Sequence, residues 1–467
     1  MQNKTSNPAS NDFLRTLSAT VTATAAIVGV HHYYRKQRQP EARLQDYVIG
    51  ISAKMHLSAP LPRLQYAYQQ AKLAYQNYPD NSAQAVIIED KANALAERHT
   101  TTMLPRPACW VSGVAAMPKS VSLANSKNTH NDNDHDFGVV GIDADRQLVW
   151  QTTMPERVHD IVVQSMATKN TQSRDVVVMG RRPSEGFWVL DTAKGQVKHT
   201  IKAATDRHFY GHACYSSDGA QLYITENDTV SLEGKIGIYN AANGYQKTGE
   251  FDSHGIGPHE LIMHPDGETL IVANGGIKTE QASREELNLD SMQPSLVYLN
   301  RYTGKLLEQI TPEHNQMSIR HLAIHNDGTV MIGVQFQGER HINVPLVLTH
   351  QRGDADFAPL FMPNNQWQRF HQYIASVAVD SERNLLCVTT PIGGCAAIYD
   401  LTTRQLIDSV PLPDCAGASV RVGEQGGFIV SDGQGQITTL LTPDRTAITT
   451  DSVTHKMSFD NHLQALL

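Results

Sequence analysis

Charge is sparse in this chain. Only 18% of its 467 residues are Asp, Glu, Lys or Arg, and the net charge is −8 at pH 7. No overall basic field exists to attract nucleic acid, so that class of partner is excluded. Cysteine is scarcer still, at Cys109, Cys214, Cys387, Cys395 and Cys415. None form C-x-x-C or C-x-x-C-H, which argues against zinc ribbons and c-type haem. The odd number rules out a complete disulfide framework and leaves at most one bridge among Cys387, Cys395 and Cys415. There is no G-x-S-x-G nucleophile elbow, no P-loop and no G-x-G-x-x-G; the Gly275-Gly276 and Gly393-Gly394 pairs read as turns.

Long hydrophobic runs are also lacking. Leu17 to Val30 is apolar and uncharged, but it has the length of a signal-peptide core and is short for a membrane span. Residues 1–40 therefore read as an export signal or signal anchor, with membrane anchoring through residues 17–30; an ordinary N-terminal helix in a cytoplasmic protein is the alternative. Residues 41–104 carry Leu64, Ala67, Tyr68, Ala71 and Tyr75 at helical spacing, with Asp80 and Ser82 as caps, and predict a small helical appendage. Ser120 to Asp136 is polar and low in complexity, and reads as a surface loop. Its His130 to Asp136 stretch reads as solvated loop more readily than as a chelator.

What is abundant is turn residues, with 32 Gly and 21 Pro, and histidine, with 21. From Cys109 onward, short apolar segments alternate with Gly, Asp, Asn and Pro, and a unit recurs. It runs His, apolar strand, Asp-Gly turn, and three further strands. Clear copies begin at His212-Ala-Cys-Tyr-Ser-Ser-Asp-Gly219, at His259-Glu-Leu-Ile-Met-His-Pro-Asp-Gly267 and at His321-Leu-Ala-Ile-His-Asn-Asp-Gly328. The Asp-Gly pairs suit tight hairpins. Degenerate copies begin at His159, near Ala375 and near Gly417. Residues 109–154 supply three more strands, and their missing innermost partner is the C-terminal stretch Asp460-Asn461-His462-Leu463. The pattern predicts an all-β fold over 105–467: a seven-bladed β-propeller of WD40-like repeats, closed by its own C-terminal strand.

The first strand of a propeller blade lines the central channel. His159, His212, His259, His321 and His462 should then share one mouth, with Ser376 and Ala418 in the remaining blades. Glu260 and Arg320 adjoin them in sequence, as does Asp160; loops on the same face add Arg181, Arg182, Asn227, Asn274 and Gln335. Imidazole with carboxylate suits a transition metal such as iron, copper or zinc. Imidazolium with arginine suits an anion instead. The bland alternative is that each His only braces its own blade. The stretch Arg284 to Leu289 predicts a short helix over the same face.

Several of these residues together resemble a known family. They are Gly211-His212 through Asn227-Asp228, Gly255-Ile-Gly-Pro-His-Glu-Leu261, Val272-Ala-Asn-Gly-Gly276, Leu287-Asn-Leu-Asp290, Pro294-Ser-Leu296, Ser318-Ile-Arg-His-Leu322 and the closing Asp460-Asn461-His462. Over roughly 108–467 the chain is similar to the domain-of-unknown-function family 1513. That resemblance implies an exported propeller, often with a twin-arginine signal, encoded near imelysin-like periplasmic proteins and other iron-uptake components. It implies a periplasmic or inner-membrane-anchored location facing the periplasm, iron-uptake proteins as partners, and no assigned activity. The absence of a twin arginine and the added helical segment depart from it. The leading expectation is a periplasmic propeller that binds a ligand, metal or partner at the His-rich mouth, and not an enzyme. A metal-dependent propeller enzyme of lactonase or quinoprotein type, and a pure interaction scaffold, stay open beside it.

Overall fold

In each repeat, apolar residues alternate with turn residues at the spacing of short strands, and the strands pair in sequence. The computed structural model describes residues 107–118, 135–165, 174–182, 184–279, 286–421 and 426–466. They form seven four-stranded antiparallel sheets. Six sheets take their strands consecutively. The other is assembled from both ends of the chain: Ser458–Ala465 lies innermost, followed by Trp110–Pro118, His135–Ile142 and Leu148–Met154. The inner strands of the other blades are Val158–Val163, Arg207–Tyr215, Pro258–Met263, Met317–Ile324, Ser376–Asp380 and Cys415–Val420. Each touches the inner strands of its two neighbours, and Ser458–Ala465 touches both Cys415–Val420 and Val158–Val163. The ring is therefore closed, and the seven-bladed propeller is observed. No inner strand is left as a free edge.

The core lies between the blades, where strand faces interdigitate. Blade two packs on blade three through Phe187, Val189, Phe209 and Tyr239, all buried. The Asp-Gly turns behave as their residues dictate. Gly219, Gly267 and Gly328 have φ of +68°, +70° and +90°, a conformation glycine adopts without steric cost.

The export signal, the helical appendage and the 119–134 loop with His130 lie outside the described residues. Two expectations need adjustment. The boundary of the 120–136 loop moves, because His135 and Asp136 already pair with Pro118 and Met117. The other is the short helix at Arg284–Leu289. Its described residues, 286–289, are not α-helical: Glu286 bridges to Thr279, and one 3-10 turn follows at Leu289–Ser291. Asn288 explains this: its side chain accepts from Lys278 N at 2.7 Å and donates to Gly276 O at 3.0 Å. Such side-chain bonds to backbone compete with helix formation. All five cysteines are free thiols, so no bridge joins Cys387, Cys395 or Cys415. Among the described residues no helix is long and apolar enough to cross a membrane.

Candidate metal centre

The inner strands do not run straight past the axis. Each blade that carries a candidate histidine has a β-bulge at or next to that histidine. Register slips between Val158 and Ile161, between Phe209 and Ala213, between Pro258 and Glu260, and between Ile319 and His321. The closing strand slips likewise opposite Ser112 and Val114, across Asp460 to His462. A bulge adds a residue to one strand and re-aims its side chain. Ser376–Asp380 has no such slip, and Cys415–Val420 slips at Ala416, so the sixth and seventh blades offer only small side chains here.

The five imidazoles converge. Ring centroids of His212 lie 4.6 Å from His159, 4.5 Å from His259 and 5.0 Å from His462. His321 lies 5.0 Å from His259 and 5.5 Å from His462. They are not equivalent, as the repeat had suggested. The residue just before Ile161, Ala213, Leu261, Leu322 and Leu463 is, in turn, Asp160, His212, Glu260, His321 and His462. This belt places carboxyls between imidazoles around the axis. His462 Nδ1 is 3.7 Å from Asp160 Oδ1, His212 Nδ1 is 3.4 Å from Asp160 Oδ2, and His321 Nδ1 bonds Glu260 Oε2 at 3.1 Å. One residue earlier on their strands stand His159, Gly211, His259 and Arg320. Gly211 is required there. Its φ is +105°, and a Cβ would meet His159 Cδ2 at 2.7 Å.

The carboxyls also tie blade to blade. Asp160 accepts from Ala213 N at 3.2 Å and Glu260 from Leu322 N at 3.2 Å, each across to the next blade. His259 Nδ1 lies 3.1 Å from the carbonyl of Arg320. Fixing one ring nitrogen on a carboxylate or carbonyl leaves the other to face a metal, the usual arrangement around metal-ligating histidine. Other nitrogens have no hydrogen-bond partner although buried: Nδ1 of His159, Nε2 of His212 and Nε2 of His462, while His212 Nδ1 has only the long approach to Asp160. Buried polar atoms are rarely left so.

Burial pushes the His159, His259 and His321 imidazoles well below their ordinary value, helped by neighbouring imidazoles and by Arg320 or Arg181. His462 is pushed down to about 3, burial again leading. His212 is the exception. Burial opposes its charge, but Asp160 and then Glu260 outweigh that and raise it. Asp160 stays low despite burial, because His212 favours its charge. Glu260 is raised to about 8, chiefly by burial. Near neutrality four of these imidazoles are thus neutral, the form that ligates metal. Ligand atoms of His212, His259, Glu260 and His321 all lie within 4.8 Å of one another, as do those of His159, His212 and His462. Ligands about 2.1 Å from an ion sit roughly 3.4 Å apart in a tetrahedron, so small adjustments would close either set.

The remaining sequence candidates surround this cluster unevenly. Arg320 Nε donates to Ser318 Oγ at 3.0 Å. Arg182 stacks on Tyr210, its Cζ 5.1 Å from the ring centre, and Arg181 acts electrostatically on His159 and Asp460. Asn274 ties its blade to the preceding one, donating to Ser253 O at 3.0 Å, just past the strand Gln246–Asp252. Asn227 is fully buried opposite His208, and neither of its amide atoms has a partner. Gln335 bridges to Tyr373. Tyr210, His208 and the Arg157–Asp460 pair escaped the sequence reading. Only Asp460 had a signal, its place two residues before His462.

A family model described as "Protein of unknown function (DUF1513)" matches residues 152–466. No curated protein matches the chain. Among solved structures, the one described as Kuenenia stuttgartiensis hydrazine synthase is similar at 13% identity, covering 70% of this chain and 92% of that chain with a TM-score of 0.47.

Proposed function

This chain belongs to the DUF1513 family, and we propose that it is a propeller that binds a transition-metal ion among the imidazoles on its axis. The observation that carries this reading is the convergence of five histidines, three of which (His159, His212 and His462) have a buried ring nitrogen without a hydrogen-bond partner, backed by Asp160 and Glu260. The donor set is rich in nitrogen and poor in oxygen, which suits iron, copper or zinc and disfavours calcium or magnesium. His212 belongs to both ligand sets. Glu260 and Asp160 orient the imidazoles, and Glu260 is itself in reach as a ligand. Iron is the ion that the family resemblance favours. The setting proposed with it is the periplasm, with iron-uptake proteins as partners and residues 17–30 as export signal or anchor.

The test is metal analysis by mass spectrometry on protein purified without a His-tag and reloaded with ferrous and ferric iron, beside a His259→Ala, His321→Ala double variant. About one ion per chain, lost in the folded double variant, is the expected result. No iron, copper or zinc in the reloaded parent protein would sink the reading.

Affinity should also depend on pH in a defined direction. Protons compete for His212, raised above its ordinary 6.5, and for Glu260, raised to about 8. Both must be released on binding. Affinity therefore rises with pH up to about 8 and falls below it. Proton release in calorimetry, read in two buffers of different ionisation enthalpy, checks this. Affinity that is flat from pH 6 to about 8 contradicts it.

A further inference from the structure

Guanidiniums crowd the centre. Arg181 acts on the His159 imidazole and Arg320 on those of His212, His259 and His321, while Arg182 and Glu286 act on Arg320. Asp460, two residues before His462, is already gripped by Arg157 through bonds of 2.6 and 2.8 Å. A divalent or trivalent ion placed here adds uncompensated positive charge in a poorly solvated site, which is costly. An anion is needed.

The mouth is built to take one. The bulge at Arg320 directs that side chain one residue ahead of His321. Its carbonyl faces His259 Nδ1 at 3.1 Å, and it forms no ion pair among the described residues. Arg182 lies on the face of Tyr210 and within electrostatic range of Arg320 and of His208. The Tyr210 hydroxyl is 3.2 Å from Thr279 Oγ1. His208 and Asn227 face each other across their strands, are 1% and 0% exposed, and have no hydrogen-bond partner on any ring nitrogen or amide atom. The ring of His208 is 5.6 Å from that of Tyr210. One wall of the mouth thus combines two guanidiniums with buried polar groups that lack partners.

We infer that this wall binds a small carboxylate anion, held by Arg320 and Arg182, which completes the coordination of the axial metal. A guanidinium grips a carboxylate through two parallel bonds. A second carboxylate of the same molecule reaches the ion and supplies the missing charge. His208 and Asn227 then bind polar groups of the same ligand. The inference rests on the metal reading of the axial imidazoles.

Cobalt(II) with oxalate separates the two. Cobalt(II) added to the metal-free full chain should give visible d–d bands, and oxalate should shift them saturably. In Arg320→Gln and in Arg182→Gln the cobalt bands should persist while oxalate affinity drops about tenfold or more. Cobalt bands that ignore oxalate, or that respond equally in the parent and both variants, overturn the anion site and leave the metal site standing. Absence of cobalt bands in the parent overturns the metal reading, and the anion site falls with it.

Discussion

Replacing His212 with alanine should lower metal affinity by at least about 100-fold, more than the roughly 10- to 100-fold that loss of an orienting partner costs. His212 is the one residue common to both candidate ligand sets. It touches His159, His259 and His462 at ring distances of 4.5 to 5.0 Å, so no neighbour is placed to replace it. Two further variants then decide which set holds the ion. If His212, His259, Glu260 and His321 bind it, His259→Ala is severe and His159→Ala mild. If His159, His212 and His462 bind it, the order reverses. Asp160→Asn should cost about 10- to 100-fold as an orienting change, because it keeps the shape but loses the charge facing His212 and His462. Competitive titration against a chromophoric chelator gives these affinities. Parent-like binding by His212→Ala would contradict the assignment outright.

The second large effect concerns closure. Deleting residues 458–467 should abolish the cooperative unfolding transition. Phe459, Leu463 and Ala465 would leave a core they share with Trp110, Val114, Ile429 and Ile437. Trp110–Pro118 would become a free inner edge, open to aggregation. Point variants grade the effect. Leu463→Ala should cost about 2–5 kcal/mol as a cavity in a packed core. Arg157→Ala should cost about 3–5 kcal/mol, since it strands a carboxylate that is itself buried. The Asp460 side chain is 1% exposed and that of Arg157 28%. Asp460→Ala should be milder, because Arg157 can turn to water. Burial works against the Asp460 charge, but the bonds from Arg157 win and hold its carboxyl below the ordinary 3.8. Its contribution is therefore complete above that value and lost as pH falls through the lowered one. Denaturant titrations at pH 7 and below pH 3.8 measure all of this; a chain lacking residues 458–467 that still unfolds cooperatively would refute the closure argument.

Repeat and closure were legible in the chain because both are local patterns. His followed by an apolar strand and Asp-Gly recurs from His212, His259 and His321, and the strand starting near Asp460 is recognisable as the same element out of place. Over its described residues, 286–289, the helix expected at Arg284–Leu289 is absent for an equally local reason that is hard to weigh in sequence. Asn288 spends its side chain on Lys278 and Gly276, ten and twelve residues back in the chain, a closeness only the fold reveals.

The sequence by itself determined that five histidines lie on inner strands, although only His159 and His259 stand next to a strand start while His212, His321 and His462 lie further in. It also placed Glu260 and Asp160 beside them. Only the tertiary structure decided how they meet. The bulges at His159, His212, His259, Arg320 and His462 shift side chains by a residue in register, and no periodicity records an extra residue that the partner strand lacks. That shift sorted the histidines into a belt with carboxyls between them and a second tier with His159, His259 and Arg320. Burial then did what no residue pattern encodes. It kept most of the imidazoles neutral, while at His212 the charges of Asp160 and Glu260 outweigh burial and raise the proton affinity.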